Sequence, residues 1–276
     1  MQNVAVIICL KKNGNINEFL GSLRSFQQDL KKGDCVFIHF DGFKDSKVKK
    51  IVSEIKNIPI DIIISPSSCG LAAGLNKLIN KVLLNRKFGF IARMDADDLC
   101  INERFQKQKR FLIKNPKISI LGSSVIEHYK KHGTEVIKMQ PSLHENIIKS
   151  LAFRNPLNHP SVMFRRNVFK SGLRYKENVG LVEDWHLWID AAKNGFIFHN
   201  SATPFVKFFI SPEFFVRRAG LKRAFEELHA RRSAQEFVQP KDKVFYLSFL
   251  VFAFVFRILP IFLQKNIYKK FLRAHG

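Results

Sequence analysis

The chain is short of cysteine, tryptophan and acid. Its four cysteines, Cys9, Cys35, Cys69 and Cys100, are widely spaced over 276 residues. No pair has the spacing of a zinc site or a thioredoxin-like motif, and three lie in or beside apolar runs as core thiols. This usage fits a reducing compartment. No His-x-x-His or comparable cluster occurs, and there is no internal repeat. The start, Met1-Gln2-Asn3-Val4, enters an apolar run with no basic region before it, so it does not read as a cleaved signal peptide. Acid is outnumbered two to one: Asp+Glu number 23 against 46 Lys+Arg, a formal net charge of +23. Such an excess points to a polyanionic partner, whether nucleic acid, an anionic membrane surface or a phosphorylated substrate.

Apolar residues make up an ordinary 46%. The length allows a substantial core, as one large domain or a domain with an appendage. Val4 to Leu10, Cys35 to Phe40, Ile60 to Ile64 and Phe88 to Arg93 read as strands. Asn15 to Gln28, Val48 to Ile55 and Ala72 to Leu84 read as helices. This alternation implies βαβ units and a mainly parallel sheet. From about Ser119 the alternation weakens. Ile118 to Ile126 is an expected strand, Ser161 to Phe164 a short one, Val182 to Asn194 a helix, and 155–160 irregular.

Where acid does occur, it clusters. The run Phe88 to Ile91 leads into Arg93-Met94-Asp95-Ala96-Asp97-Asp98. Side chains alternate along a strand, so Asp95 and Asp97 point the same way as it ends. Convergent carboxylates repel unless a cation joins them, and a hard ion such as Mg²⁺ or Mn²⁺ fits oxygen ligands shared with phosphates. The plain alternative is a turn, with Asp98 capping the helix expected over Asn102 to Leu112. Asp41 lies at another strand end and faces the same crevice, because ligands of open α/β sheets bind beyond the carboxyl ends of the strands. A second pair, Glu183-Asp184, opens a helix-like segment. It is either a cap favoured by the helix dipole or a general base beside the metal site.

Taken in order, these pieces resemble glycosyltransferase family 2, the inverting sugar-nucleotide transferases of GT-A fold. Val4-Ala5-Val6-Ile7-Ile8 is similar to the family's first strand and Phe40-Asp41-Gly42 to the end of its second. Gly70-Leu71-Ala72-Ala73-Gly74-Leu75-Asn76 is similar to its glycine- and asparagine-containing loop and helix. The run 92–98 resembles its metal motif, followed by Arg104-Phe105 and Gln108. Asn158-His159-Pro160-Ser161-Val162-Met163-Phe164 and Glu183-Asp184-Trp185 complete the set, which covers roughly residues 3 to 210. Two departures bear on the nucleobase contacts: Cys9-Leu10-Lys11-Lys12-Asn13 replaces a Pro-x-Tyr-Asn-like turn, and Asp41 stands without a second aspartate.

The resemblance implies an α/β GT-A domain, Rossmann-like with a mixed, mainly parallel sheet and flanking helices, over 1–211. A helical basic and aromatic extension follows over 212–276. It implies a hexosyltransferase-type enzyme moving a sugar from a nucleotide-sugar, expected to be a UDP-sugar, to a hydroxyl of a glycan acceptor, expected to be lipid-linked, in cell-surface polysaccharide or lipooligosaccharide synthesis. Asp97 is the main metal ligand and Asp95 contacts metal or ribose, with Mn²⁺ or Mg²⁺ as cofactor. Asp184 takes the acceptor proton with support from Glu183. Asp41 binds the base, and Gly70 and Asn76 line the donor crevice. Arg93 either faces the phosphates or is a strand-end surface charge. His159 orders the substrate crevice or its loop. Trp185 stacks on an acceptor sugar or packs on the sheet, and His186 is structural.

The extension is basic through Arg217, Arg218, Lys222, Arg223, Arg231 and Arg232, then rich in Phe from Val244 to Phe256, and basic again at Lys265, Lys269, Lys270 and Arg273. Val244 to Leu263 approaches the ~20 apolar residues that span a bilayer, but Arg257 and Pro260 interrupt it. The expected partner is an anionic membrane, met peripherally on the inner leaflet from the cytoplasm. A buried core helix and a true anchor are the alternatives. A non-catalytic nucleic-acid binder would need exposed aromatics among the basic residues and a recognisable module. Neither is present, so no nucleic-acid partner is expected. A nucleotidyltransferase of the same fold would have no use for Glu183-Asp184.

Overall fold

The computed structural model describes residues 2–264. In chain order its elements are β1 (Asn3–Lys11), α1 (Ile16–Phe26), β2 (Cys35–Asp41), α2 (Asp45–Ser53), β3 (Ile60–Ser65), α3 (Leu71–Leu83), β4 (Phe88–Arg93), β5 (Leu99–Cys100) and α4 (Arg104–Lys114). There follow β6 (Ile118–Tyr129), β7 (Thr134–Lys138), α5 (His144–Leu151), β8 (Met163–Arg165), α6 (Arg166–Lys170), α7 (Glu183–Lys193), β9 (Ile197–Ile210), α8 (Pro212–Val216), α9 (Leu221–Ser233) and α10 (Lys243–Ile258). The basic residues expected at 265–273 lie outside the described residues.

All the described strands join one sheet, in the order β3-β2-β1-β4-β8-β6-β9-β5, with β7 paired to β6. β3, β2, β1 and β4 run parallel. β8 lies antiparallel between β4 and β6, and β6 is parallel to β9. The result is the mixed, mainly parallel α/β sheet that the strand–helix alternation predicts.

Alternation sorts β1 between two cores. Val4, Val6, Ile8 and Leu10 join Phe19, Leu23 and Phe26 of α1, Val48 and Ile51 of α2, and Phe105 and Leu112 of α4. Ala5 and Ile7 face the other way, to Leu75, Leu78 and Val82 of α3, Leu151 of α5, Phe169 of α6 and Trp188 of α7. Both faces are covered, which is why β1 reads as a continuous apolar run. Ala230 of α9 and Tyr246 of α10 belong to the second core, so the C-terminal helices pack on the same side as α7.

Two local features bring α3 close to the sheet. Gly70, at the helix N-cap, has φ +87, a conformation that a Cβ penalises. A Cβ on Gly74 would stand 2.4 Å from His39 Nδ1, so only glycine lets α3 approach β2. The helix α4 begins differently from expectation. Its first amides are capped from a distance by Asp29, whose carboxylate accepts from Phe105 N at 2.6 Å and Gln106 N at 3.3 Å. Asp98 instead accepts from Phe209 N on β9.

Among the described residues, no helix is long and apolar enough to cross a membrane. The Phe-rich run forms α10, and Leu259 turns extended before Pro260, as residues preceding proline do. Glu227, 2% exposed, ties these helices together through ion pairs with Arg223, Arg231 and Arg257. Burial opposes its charge, but those arginines outweigh it and hold its pKa at about 2.

Candidate active site

Two acidic clusters converge beyond the ends of the central strands. The first follows β4. Met94 N bonds to Ile7 O on β1 and Arg93 N to Val162 O, so the strand end is fixed on both sides. Ser22 of α1 donates to the carbonyl of Asp95 at 3.1 Å and pins the turn. Carboxylate oxygens of Asp95, Asp97 and Asp98 then lie within 4.8 Å of one another. Asp98 is buried and, among the described residues, its Oδ2 has no hydrogen-bond partner. Burial, then Asp95 and Asp97, push its pKa well up. Asp97 is exposed, yet surrounding protein desolvates it and, with Asp95 adding repulsion, raises its pKa too. Three hard oxygen donors in this state fit a divalent cation: it would satisfy the orphaned Asp98 oxygen and relieve the repulsion.

Arg93 is 2% exposed and ion-paired with Asp95, so it is no surface charge. Burial works against its guanidinium, but Asp95 more than offsets this and raises its pKa. Its field reaches His159, Tyr175 and Glu183, which makes it the charge common to both clusters.

The second cluster opens α7. Asp184 accepts from Asn155 Nδ2 at 2.7 Å and from Trp185 N at 2.7 Å. Burial raises its pKa while these two bonds restrain the rise. Glu183 is 7% exposed, and burial, then the neighbouring Asp184, push it to about 7. A carboxyl poised near neutrality beside a second carboxylate suits proton transfer at physiological pH.

On the far side of β1, Asp41 closes β2. Burial opposes its charge, but hydrogen bonds from Cys69 N (2.7 Å), Ser68 Oγ (2.8 Å) and Gly70 N (3.3 Å) win and lower its pKa. The carboxylate thus shapes the loop before α3. Beside it lies a recess of about 390 Å³ lined by Lys11, Lys12, Asn13, Asp41, Gly42, Pro66 and Ser68. A larger recess, between α1 and α2 near Asn15 and Lys50, has no residue of either acidic cluster in its lining.

The remaining expected residues sit elsewhere than a binding surface. Asn76 spends its amide on Tyr175, giving 2.9 Å to its carbonyl and accepting 2.9 Å from its N–H, and so staples α3 to that segment. His159 is buried, with Nε2 2.9 Å from Tyr175 Oη; burial, then Arg93, drive its pKa well down, so it is neutral. Trp185 is 3% exposed, with Nε1 donating to Leu151 O and Arg231 5.0 Å from its ring. Its ring packs in the core and is not displayed to a sugar. His186 is buried, with its ring 5.1 Å from that of His229. Sequence reasoning passed over Asn155, which nothing but its neighbouring Pro156 distinguishes. It also gave no role to Arg104, a fully buried guanidinium that binds Arg93 O (2.8 Å), Pro160 O (2.7 Å) and Gln108 Oε1 (2.9 Å) beneath the first cluster.

The model of glycosyl transferase family 2 matches residues 4–173, over half the chain. The chain belongs to this family. Among its relatives are glycosyltransferases of bacterial surface-glycan synthesis. The amylovoran biosynthesis glycosyltransferase AmsE of Erwinia amylovora is 32% identical over 65% of this chain and 64% of its own length. The UDP-Gal:alpha-D-GlcNAc-diphosphoundecaprenol beta-1,3-galactosyltransferase of Escherichia coli is 29% identical over 91% of this chain and 90% of its own. In fold, the chain is similar to S. aureus TarS 1-349 in complex with UDP, with a TM-score of 0.60 and 16% identity over 93% of this chain and 81% of that one. It is also similar to the mannosyltransferase PcManGT of Pyrobaculum calidifontis in complex with GDP-Man and Mn2+, with a TM-score of 0.58 and 13% identity over 97% and 88%. The expected GT-A architecture and glycosyltransferase class therefore hold.

Proposed function

We propose that this family 2 enzyme transfers a sugar from a UDP-sugar to a hydroxyl of a lipid-linked glycan, with divalent metal and with inversion. The observation that carries the reading is the pairing of two unlike acidic clusters around one buried arginine. Asp97 and Asp95, with Asp98 behind them, would hold Mn²⁺ or Mg²⁺, and the ion would supply Lewis-acid neutralisation of the leaving diphosphate. Arg93 orients Asp95 and adds a fixed positive charge towards the phosphates. Asp184, fixed by Asn155, accepts the proton of the attacking hydroxyl, and Glu183 shares that proton load. Asp41 keeps the Ser68–Gly70 loop in shape and so forms the nucleobase wall of the recess.

The lipid-linked acceptor rests on the Escherichia coli relative, whose acceptor is a diphosphoundecaprenol sugar, and on the C-terminal helices. Phe245, Leu247, Val251 and Phe252 of α10 and Phe225 of α9 are all more than half exposed, among the basic residues of the 212–276 extension. That combination fits peripheral docking on an anionic inner leaflet. The deciding experiment is UDP release from a panel of UDP-sugars with Mn²⁺, alongside thermal stabilisation. A donor at a hundred times its Kd should stabilise the fold by about 2.7 kcal/mol. Turnover that survives chelation would remove the metal, and no response to any nucleotide-sugar would remove the donor.

A further inference from the structure

One buried cation plays no part in the proposed chemistry. Arg104 opens α4 and is fully buried, and among the described residues it has no ion pair. Burial disfavours its charge and lowers its pKa to about 10, so it stays protonated at neutrality. A buried charge without an acid is costly unless its hydrogen bonds are complete. Arg104 spends them mainly on the main chain. Nη2 donates to Arg93 O at 2.8 Å and to Val162 O at 3.3 Å. Nη1 donates to Pro160 O at 2.7 Å and to Met94 Sδ at 3.3 Å, and Nε to Gln108 Oε1 at 2.9 Å. Gln108, one turn on along the same helix face, donates to Ser161 O at 2.8 Å and to Leu121 O at 3.2 Å.

The place explains why a guanidinium is needed. β4 and β8 pair as far as Ala92 and Met163, and Arg93 N still bonds to Val162 O. Beyond that point the two chains part, one into the metal cluster and the other into the 155–160 loop. Arg93 O and Pro160 O lie past the paired residues, and a planar fork of donors spans the gap between them. The same segment supports α7 from the other side. Trp188 stacks on Phe164 with ring centroids 5.7 Å apart and meets His159 edge-on at 5.9 Å. Asn155, in the same loop, holds Asp184 at 2.7 Å. Arg104 therefore stands between the strand end that carries Asp95, Asp97 and Asp98 and the segment on which α7 rests.

We propose that Arg104, with Gln108, is a positioning residue that sets the separation between the metal cluster and the carboxylates of α7. The inference rests on the sugar-transfer reading and adds the element that keeps its two halves in register. An attacking hydroxyl must meet donor and base at once, and a misplacement of about 1 Å can cost about 10²-fold in rate. Lysine keeps the charge at this position but not the geometry, because an ammonium is a point charge on a flexible stem.

The chain's two tryptophans, Trp185 and Trp188, both lie on α7 and so report that separation directly. The test titrates the full chain with Tb³⁺, a hard cation that takes oxygen ligands as Mn²⁺ and Mg²⁺ do, and excites it through tryptophan. Energy transfer to the ion falls steeply with distance. In Arg104→Lys the Tb³⁺ affinity should stay within about threefold of the wild type, because the Ile7 and Ser22 contacts still hold the metal turn. Sensitised emission per bound ion should fall at least about twofold, because the segment beneath Trp188 is no longer gripped. Gln108→Met, of similar volume, should give a smaller fall, and it carries the test if melting curves show Arg104→Lys unfolded. Unchanged emission per bound ion in the folded variant would overturn the proposal. So would a loss of Tb³⁺ binding that merely tracks the unfolded fraction, since the contacts would then serve stability alone. Asp97→Ala separates this from the reading beneath it: Tb³⁺ bound as well by that variant as by the wild type would sink the metal site itself, and the spacing with it.

Discussion

The two acidic clusters contain the same functional group in opposite settings. Asp95, Asp97 and Asp98 crowd together at a strand end, against one buried arginine, with one orphaned oxygen. Glu183 and Asp184 begin a helix, one buried and, among the described residues, without a salt-bridge partner, the other held by an amide. Crowded carboxylates around a cation suit charge neutralisation, which works only while they stay ionised. A desolvated carboxyl at about 7 suits proton exchange, which needs both forms. Environment, not residue type, divides the labour, and Arg93 between them keeps the two fields coupled.

The largest break in this comparison should come from Asp184→Asn, which keeps the shape and the Trp185 contact but removes the base. Sugar transfer should fall by about 10²- to 10⁴-fold, the usual worth of a positioned base, measured as kcat with saturating donor. Unchanged kcat would remove Asp184 from the role.

Glu183→Gln sharpens the same contrast through stability. The folded pKa is raised from 4.5 to about 7 by burial and then by Asp184. Below 4.5 both folded and unfolded forms hold the proton, so nothing is lost. Between the two values the unfolded chain releases its proton while the folded one retains it, and native stability declines as pH rises, with the full cost present above 7. The glutamine variant escapes that cost. It should be more stable than the wild type at pH 8, by up to about 3 kcal/mol, and gain nothing at pH 4 in denaturant titrations. A gain at pH 4 as large as at pH 8 would contradict the buried, raised Glu183.

Smaller effects test the flanks. Asp41→Asn removes the charge that holds three loop hydrogen-bond donors. The donor KM should rise about tenfold with little change in kcat, since the loop binds and does not react. The least effect on chemistry belongs to Phe252→Ser on α10, which is 59% exposed. It should weaken partition onto phosphatidylglycerol vesicles about tenfold, the worth of one inserted aromatic side chain, and leave stability nearly unchanged. Equal partition of the two proteins would argue against this face as the membrane contact.

Much of the first half was legible because β1 to β4 read as apolar runs of strand length and α1 to α3 each carry a helical period. The second half was not. β9, Ile197–Ile210, escaped because it contains Asn200, Ser201, Thr203 and Pro204, and proline argues against a strand. The structure tolerates it where the pairing with β6 shifts register, between Ser123 and Val125. Short elements such as α5 and α6 offer too few turns for a periodic signal. In the site, strand ends and carboxylate spacing brought out Asp95, Asp97 and Glu183-Asp184, whereas Asn155, Tyr175 and Arg104 act through contacts 29 to 99 residues away in sequence that no local pattern announces. Trp185 shows the converse. Its position in a motif suggested display, but the Leu151 carbonyl on α5 and the Arg231 guanidinium on α9 hold it in the core.

The division of labour is tested most directly by UDP binding with Mn²⁺, measured by calorimetry for Asp97→Ala and Asp184→Asn side by side. The account predicts that Asp97→Ala loses metal-dependent UDP binding by at least about tenfold. Asp184→Asn should bind UDP within about twofold of the wild type while failing to transfer sugar. Equal loss of UDP binding in both variants, or full metal-dependent binding in Asp97→Ala, would contradict it.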